Sequence, residues 1–345
     1  MIITRRQFLK YCSVAAGALG LSAGALFKLK ETIAKEGGLQ IMWLNAATCS
    51  GCSTSFLNSI YYATIQELLL SGPATQSLDL QYHPTLMAAD GTLATDAATL
   101  SSLNDPFVLV VEGSIQTGTP YGGSQGDYCH VGNLTGGPKL MDVVTTYATS
   151  PKCGYILAVG TCAAFGGIPA GDPNPTGAKG LLDYFDTGAQ TWPTSGEYYH
   201  SYTWRSIRNK TINIPGCPPN PNWIVGTIAY IINHGVGSIP PLDSLRRPRM
   251  YYGERICNHC DRFNDTNFID NMKPDEIGDP NKRTYCLKNI GCKGSRTKAD
   301  CSWRKWHSPG YSEVGINWCV GAGAPCQGCT QDGFPDRMSP FYYIR

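Results

Sequence analysis

Charge is what this 345-residue chain has least of: only 16% of it is Asp, Glu, Lys or Arg. Lysines and arginines gather into no long run, so neither a nucleic-acid groove nor an anionic membrane surface is implied. Long apolar runs are equally scarce. Beyond the first 34 residues the best is Trp223–Ile232, ten residues broken by Gly226 and Thr227, against the ~20 that a spanning helix needs. Any membrane attachment of that part would come through a partner. Helical periodicity fades after Ser238, and no internal repeat is present, which excludes a helical bundle and a solenoid.

Glycine (39) and proline (23) are abundant instead, as in a compact protein with much irregular backbone. The length suits two domains, or one with a large appendage. The opening reads Thr4-Arg5-Arg6-Gln7-Phe8-Leu9-Lys10, followed by an apolar stretch from Tyr11 to Phe27 rich in Ala and Gly. It resembles a twin-arginine export signal, with Thr32-Ile33-Ala34 as a weak cleavage site. An uncleaved anchor is the alternative, although 17 residues is short for a span. Lys10-Tyr11 do not suit a lipidation site at Cys12. Removing residues 1–34 leaves 23 basic and 25 acidic residues, a net charge near −2.

From Leu39 to about Gly235 short apolar runs alternate with helical stretches. Gln40–Leu44, Leu78–His83, Phe107–Val111, Tyr155–Val159 and Thr211–Ile214 read as strands, Ser59–Leu70 and Trp223–Asn233 as helices. Phe107–Val111 is apolar without interruption, as expected of a central parallel strand covered on both faces. The pattern predicts an α/β doubly wound fold, whose functional residues belong at the carboxyl ends of strands. Ile239-Pro240-Pro241 opens a linker into a second, irregular region. The organisation expected is residues 1–34 as signal, 35–237 as the doubly wound domain and 238–345 as the C-terminal domain.

Cysteine is the other abundance, at fifteen. Eight fall between Cys257 and Cys329 in two sets of four: Cys257, Cys260, Cys286 and Cys292, then Cys301, Cys319, Cys326 and Cys329. Each set contains a C-x-x-C pair. Such a pair lets two thiolates from one turn reach one metal centre, and four thiolates are what a cubane 4Fe–4S cluster needs. Cys49, Cys52, Cys162 and Cys217 form a third set, the first, third and fourth of them each just past a predicted strand. A lone C-x-x-C also suits a thiol redox pair, and an exported chain with fourteen remaining cysteines also admits disulfides. The chain is far longer than the small domains that need such staples.

The surroundings of these cysteines are more specific. Cys49-Ser50-Gly51-Cys52, the run Gly160-Thr161-Cys162-Ala163 continuing to Gly166-Gly167-Ile168-Pro169-Ala170, and Pro215-Gly216-Cys217-Pro218-Pro219-Asn220-Pro221 stand in series. With Val111-Glu112-Gly113-Ser114 and the stretch Tyr285–Gly294, they resemble the small subunit of nickel–iron hydrogenases from about Leu39 to Tyr343. The resemblance implies that the first domain is flavodoxin-like and holds a proximal 4Fe–4S cluster on Cys49, Cys52, Cys162 and Cys217. It implies a distal cluster on Cys257, Cys260, Cys286 and Cys292, and a medial one on Cys301, Cys319, Cys326 and Cys329. Hydrogen would be split at a nickel–iron centre in a separate large subunit, an obligate partner. This chain would relay electrons to a soluble cytochrome c or to a membrane cytochrome b feeding quinone, at the outer face of the cytoplasmic membrane. A quinone-reductase subunit sharing the first domain is the nearest alternative, against which the eight C-terminal cysteines count.

Departures from the family pattern refine the expectation. Cys257 stands where many members have a histidine ligand, so the distal set becomes all cysteine, with His259 as a neighbour or an alternative ligand. Cys319 stands where the common version has Pro and a 3Fe–4S medial cluster, so 4Fe–4S is expected there. Gly51 and Gly167 occupy the positions of the two extra cysteines of oxygen-tolerant members, which predicts an ordinary proximal cubane. Thr54 replaces a frequent Glu. Cys129 and Cys153 match no ligand position and read as small buried hydrophobes. His83, His130, His200, His234 and His307 read as core or surface histidines. The 171–180 loop is expected to cover the cysteine edge of the sheet, and Phe341-Tyr342-Tyr343 to pack against a partner.

Overall fold

A computed structural model describes residues 39–62, 64–69, 78–100, 103, 106–132, 136–186, 190–191, 198–199, 202–234, 238–263, 271–307 and 314–342. The export signal and its cleavage site, Cys12, His200 and Tyr343 lie outside the described residues.

Five strands form one parallel sheet: β1 (Leu39–Asn45), β2 (Leu78–Tyr82), β3 (Phe107–Glu112), β4 (Cys153–Val159) and β5 (Thr211–Ile214), in the order β2-β1-β3-β4-β5. That is the flavodoxin-like order, with its topological switch between β1 and β3. The strands alternate faces with period two. Ile41, Trp43, Val108, Val110, Leu157, Val159, Ile212 and Ile214 enter one core, while Met42, Leu44, Leu109, Val111, Ile156 and Ala158 enter another. Burial on both faces is why these segments read as continuous apolar runs.

The second core is closed by conventional helices. Ala98 comes from α3 (Gly91–Leu100), and Val143, Val144 and Tyr147 from α4 (Leu140–Thr149). Ala163 and Ala164 come from α5 (Thr161–Phe165), Leu181 and Phe185 from α6 (Leu181–Phe185), and Ile207 from α7 (Tyr202–Lys210). The first core has a different cover. Phe56 of α1 (Gly51–Leu57) and Trp223, Ile224, Ile228 and Ile231 of α8 (Pro221–His234) pack there. They are joined by Tyr251 and Tyr252 of α9 (Arg249–Tyr252), and by Ile256, Leu287, Ile290, Trp318 and Val320. At about 1.5–3 kcal/mol for each fully buried large apolar side chain, this shared layer is a substantial hold on the C-terminal residues. They therefore rest on the sheet's own core as well as on whatever their cysteines bind.

The helix expected over Ser59–Leu70 differs. The described helix there, α2, is only Ile65–Leu69. Upstream, α1 has already ended at Leu57, where Asn58 N–H bonds Thr54 O and Ser55 O, and Ser59 N–H returns to Phe56 O. The helix expected over Trp223–Asn233 is present as α8. No described helix is long and apolar enough to cross a membrane.

Candidate metal centres

Three strand exits deliver cysteines to the carboxyl edge of the sheet. Beyond β1 the chain turns so that Thr48 Oγ1 accepts from Ser50 N–H at 3.0 Å. Ser50 itself is left-handed (φ 60°), and α1 then carries Cys52. β4 leaves through Gly160 (φ 91°) into α5 with Cys162. Past β5, Gly216 N–H donates to Thr161 Oγ1 at 2.9 Å, which ties the Cys217 turn to the Cys162 helix. Tyr252 Oη donates to Pro215 O at 2.8 Å and braces the same turn from α9.

The four thiols stand within electrostatic reach of one another. Burial, then the charge of Glu112 and of Cys162, Cys49 and Cys217, holds the Cys52 thiol well above its ordinary range. Burial and Cys217 push Cys162 up to about 11, and burial and Cys49 raise Cys217. A second group lies around two short 3₁₀ turns, Ile256–His259 and Leu287–Ile290. There burial, followed by Cys292, Cys260 and Cys286, pushes Cys257 up to about 11. A third forms around Cys301, the first residue of α10 (Cys301–Arg304). Its thiol is raised by burial, Cys329, Asp300, Cys326 and Cys319, while burial drives Cys329 up to about 12. Each predicted set of four is thus brought together.

The groups also touch in series. Thr161 Oγ1, beside Cys162, donates to Cys329 O. Cys326 N–H donates to Cys292 Sγ at 3.3 Å. The set latest in sequence therefore sits between the other two.

The donor chemistry selects what such sites hold. All fourteen described cysteines are free thiols. Among the described residues no three His, Cys, Asp or Glu side chains close on a single ion; thiolates around one tetrahedral ion lie about 3.8 Å apart, from a metal–sulfur bond of ~2.3 Å. Four thiols raised by burial and by one another's charge fit a multi-iron cluster, whose cationic irons offset that charge.

Comparison with known proteins agrees. Residues 252–342 match the family described as the C-terminal part of the NiFe/NiFeSe hydrogenase small subunit. The chain belongs to the small subunits of nickel–iron hydrogenases. Residues 49–231 match the family described as NADH ubiquinone oxidoreductase, 20 Kd subunit, so the first region is common to both kinds of protein. The periplasmic NiFeSe hydrogenase small subunit of Desulfomicrobium baculatum is 33% identical over 99% of each chain. The periplasmic NiFe hydrogenase small subunit 1 of Nitratidesulfovibrio vulgaris is 33% identical over 99% of this chain and 93% of its own. Among solved structures, the recombinant NiFeSe hydrogenase of Desulfovibrio vulgaris Hildenborough superposes with a TM-score of 0.69 at 32% identity, over 90% of this chain and 99% of that one.

Residues around the cysteines fall as follows in this hydrogenase small subunit. His259 Nε2 pairs with Glu254 Oε2 at 2.8 Å, so its ring is engaged outside the Cys257 set. Thr54 is exposed and donates to its own helix at Ser50 O. Cys153 is buried with its Sγ 3.4 Å from Tyr155 O, and burial raises the half-buried Cys129. His234 stacks on Tyr230, His130 faces Asp127 at 3.7 Å, and His307 lines a 260 Å³ cavity with Gly51, Pro218 and Asn220. The 171–180 loop is pinned through Asp172 N–H to Asp336 Oδ2 at 3.0 Å. Phe341 packs on Phe334, ring centroids 5.7 Å apart, and Tyr342 is exposed.

Sequence reasoning missed one feature of the first group. Glu112, at the tip of β3, is fully buried and accepts four hydrogen bonds. Its donors are scattered between residues 43 and 53, so no local motif marks them.

Proposed function

We propose that this hydrogenase subunit relays electrons between a nickel–iron site in its large subunit and an external acceptor, through three 4Fe–4S clusters. Catalysis on hydrogen belongs to the large subunit, an obligate partner. Cys49, Cys52, Cys162 and Cys217 hold the proximal cluster; Cys301, Cys319, Cys326 and Cys329 the medial; Cys257, Cys260, Cys286 and Cys292 the distal. Bound clusters supply one-electron carriers. The chain supplies their spacing, their burial and the hydrogen bonds that tune them.

The observation that carries this reading is the serial contact of the three groups, Thr161 beside Cys162 to Cys329 and Cys326 to Cys292. A relay needs that ordering, whereas three unrelated structural sites do not. The four-thiol medial group, with Cys319 coupled to Cys301 and Cys329, supports a cubane there rather than a 3Fe–4S cluster. We assign residues 35–237 to the proximal-cluster domain and 238–345 to the medial and distal clusters. Residues 1–34 are read as a twin-arginine signal that delivers the folded subunit to the periplasm, where several relatives are named as residing. A cytochrome c or a membrane cytochrome b with quinone is the proposed acceptor.

EPR of the purified complex, oxidised and then reduced stepwise, tests the reading. Interacting 4Fe–4S signals that appear on reduction, without an oxidised three-iron signal, are expected. Iron and sulfide analysis accounting for one cluster or none would refute it.

A further inference from the structure

The carboxylate of Glu112 lies behind the first cysteine group and is shared by both ends of the loop that carries Cys49 and Cys52. Its Oε1 accepts from Thr48 Oγ1 at 3.0 Å and from Ser53 N–H at 3.2 Å. Its Oε2 accepts from Trp43 Nε1 at 2.9 Å and from Ser53 Oγ. One donor thus precedes Cys49 and two follow Cys52. The fourth comes from β1.

The polarity of this network follows from its far end. Thr85 N–H donates to His83 Nδ1 at 3.2 Å, so a neutral ring carries its proton on Nε2, 3.4 Å from Ser53 Oγ. Ser53 Oγ then accepts from His83 and passes its own proton to Glu112. His83 is buried and packs against Trp43 with ring centroids 4.8 Å apart and planes tilted by 33°, which holds its ring in place. Every group facing Glu112 donates to it, and both of its oxygens act only as acceptors, the role of a carboxylate.

Resting on the cluster reading above, we propose that Glu112 is the positioning and potential-setting residue of the proximal site: an anchored negative charge that fixes the Cys49–Cys52 loop and opposes reduction of what it holds. The sign follows from Coulomb's law, since an electron added beside a buried anion costs more than one added without it. Glu112 is already the largest electrostatic influence on the Cys52 thiol, ahead of the other three cysteines.

The test is redox titration, followed by EPR, of the whole hydrogenase complex carrying Glu112→Gln, Glu112→Asp or Ser53→Ala. The midpoints of the other two clusters serve as internal references. The Gln variant is expected to raise the midpoint of the proximal signal, and the Asp variant, which keeps the charge, to stay near wild type. Ser53→Ala, which keeps the charge but removes one of its donors, is expected to fall below wild type. An unmoved midpoint in Glu112→Gln, or an equal rise in Ser53→Ala, overturns the proposal. Should Glu112→Gln fail to assemble, Trp43→Phe decides: it removes one donor from the carboxylate, so the midpoint is expected to fall, and a rise or no change overturns it. Absence of any proximal signal in the wild-type complex would instead defeat the cluster reading itself.

Discussion

Cys326 and Cys292 meet through a single hydrogen bond, the amide of one donating to the sulfur of the other at 3.3 Å. The next residue, Lys293, returns the contact, its N–H donating to Cys326 O at 2.7 Å. Two cysteine groups 34 positions apart in sequence are thereby stitched backbone to sulfur. For electron transfer this matters more than either site alone, because a chain of clusters conducts only as well as its longest gap.

Cys319 offers a direct check on the middle of that chain. It is exposed while Cys326 is buried, and it is the member that the common family pattern lacks. Cys319→Ala leaves Cys301, Cys326 and Cys329, three thiolates that suit a three-iron cluster. The variant is expected to gain an oxidised 3Fe–4S EPR signal, with a higher midpoint than wild type, while total iron falls by about one atom in twelve for three cubanes. The same signal at full strength in wild type would remove Cys319 from the ligand set.

Immediately before Cys301 lies the structural support of the same site. Asp300 Oδ2 takes Arg304 Nε and Nη2, both at 2.8 Å, and its Oδ1 takes Trp223 Nε1 at 2.7 Å. Burial raises the Asp300 carboxyl, and Arg304 and Trp223 oppose that rise. Arg304 also lies over the Tyr251 ring, 5.1 Å from its centroid. Arg304→Met strands the carboxylate, a change that costs about 3–5 kcal/mol when one partner of a buried pair is lost. The expected result is an earlier denaturation midpoint of the complex, partly restored in Arg304→Met/Asp300→Asn because the stranded charge is gone. Equal loss in the single and double variants would show that packing, not charge, holds this corner.

How much of this was legible beforehand depended on the physical signal each part carries. β3 and β4 were readable because burial on both faces leaves nearly unbroken apolar runs. The edge strands β2 and β5 were readable as short runs with apolar residues at alternate positions. The 2-1-3-4-5 order followed from the family, not from the runs themselves. Helices α3 and α7 escaped notice because Ala-, Thr- and Arg-rich sequences such as Gly91–Leu100 and Tyr202–Lys210 bury few large apolar residues. α4 does carry a readable stripe, Leu140, Val143, Val144 and Tyr147, that the sequence reading passed over. The region after Ser238 looked coreless because Tyr251, Leu287 and Trp318 are isolated between polar turns; their burial appears only when the sheet is present to receive them. The grouping of cysteines was visible from spacing and motif. The Glu112 network was not, since Trp43, Thr48, Ser53 and Glu112 lie on separate elements.

His83 predicts a pH dependence. Only 1% exposed, its imidazole is driven by burial down to about 4 from an ordinary 6.5, although Glu112 acts in the opposite direction. Between those values the unfolded chain binds a proton that the folded chain refuses. Stability contributed by this site is therefore complete above pH ~6.5 and is lost as pH falls toward ~4, by about 3 kcal/mol in total at 1.36 kcal/mol per pH unit. Denaturation of wild-type and His83→Gln complexes at pH 7 and pH 4.5 checks this. The variant is expected to begin less stable, through lost packing on Trp43, yet to lose less than wild type on acidification. Parallel acid losses in the two would mean that other groups set the acid limit.

The glycines at the strand exits separate two effects that are often merged, backbone conformation and close approach. Gly160 has φ 91°, and a Cβ built there lies 2.5 Å from Cys52 Sγ. Gly167 has φ 57°, and its Cβ would lie 2.8 Å from both the Cα and the Sγ of Cys162. Gly323 has a similar φ of 93° with nothing within 4 Å. Alanine at Gly323 therefore meets only the left-handed penalty, about 1–2 kcal/mol, and should leave the iron content untouched. Alanine at Gly160 must also displace a thiol from its group, and nothing flexible is available to yield, since Cys52 is fixed on α1. Gly160→Ala is thus expected to lose the proximal iron while the medial and distal signals persist. Total iron would fall by about a third if three equal cubanes are present. Retention of full iron in Gly160→Ala would mean that the loop carrying Cys52 can shift by an ångström or more, which the three bonds from Thr48 and Ser53 to Glu112 oppose.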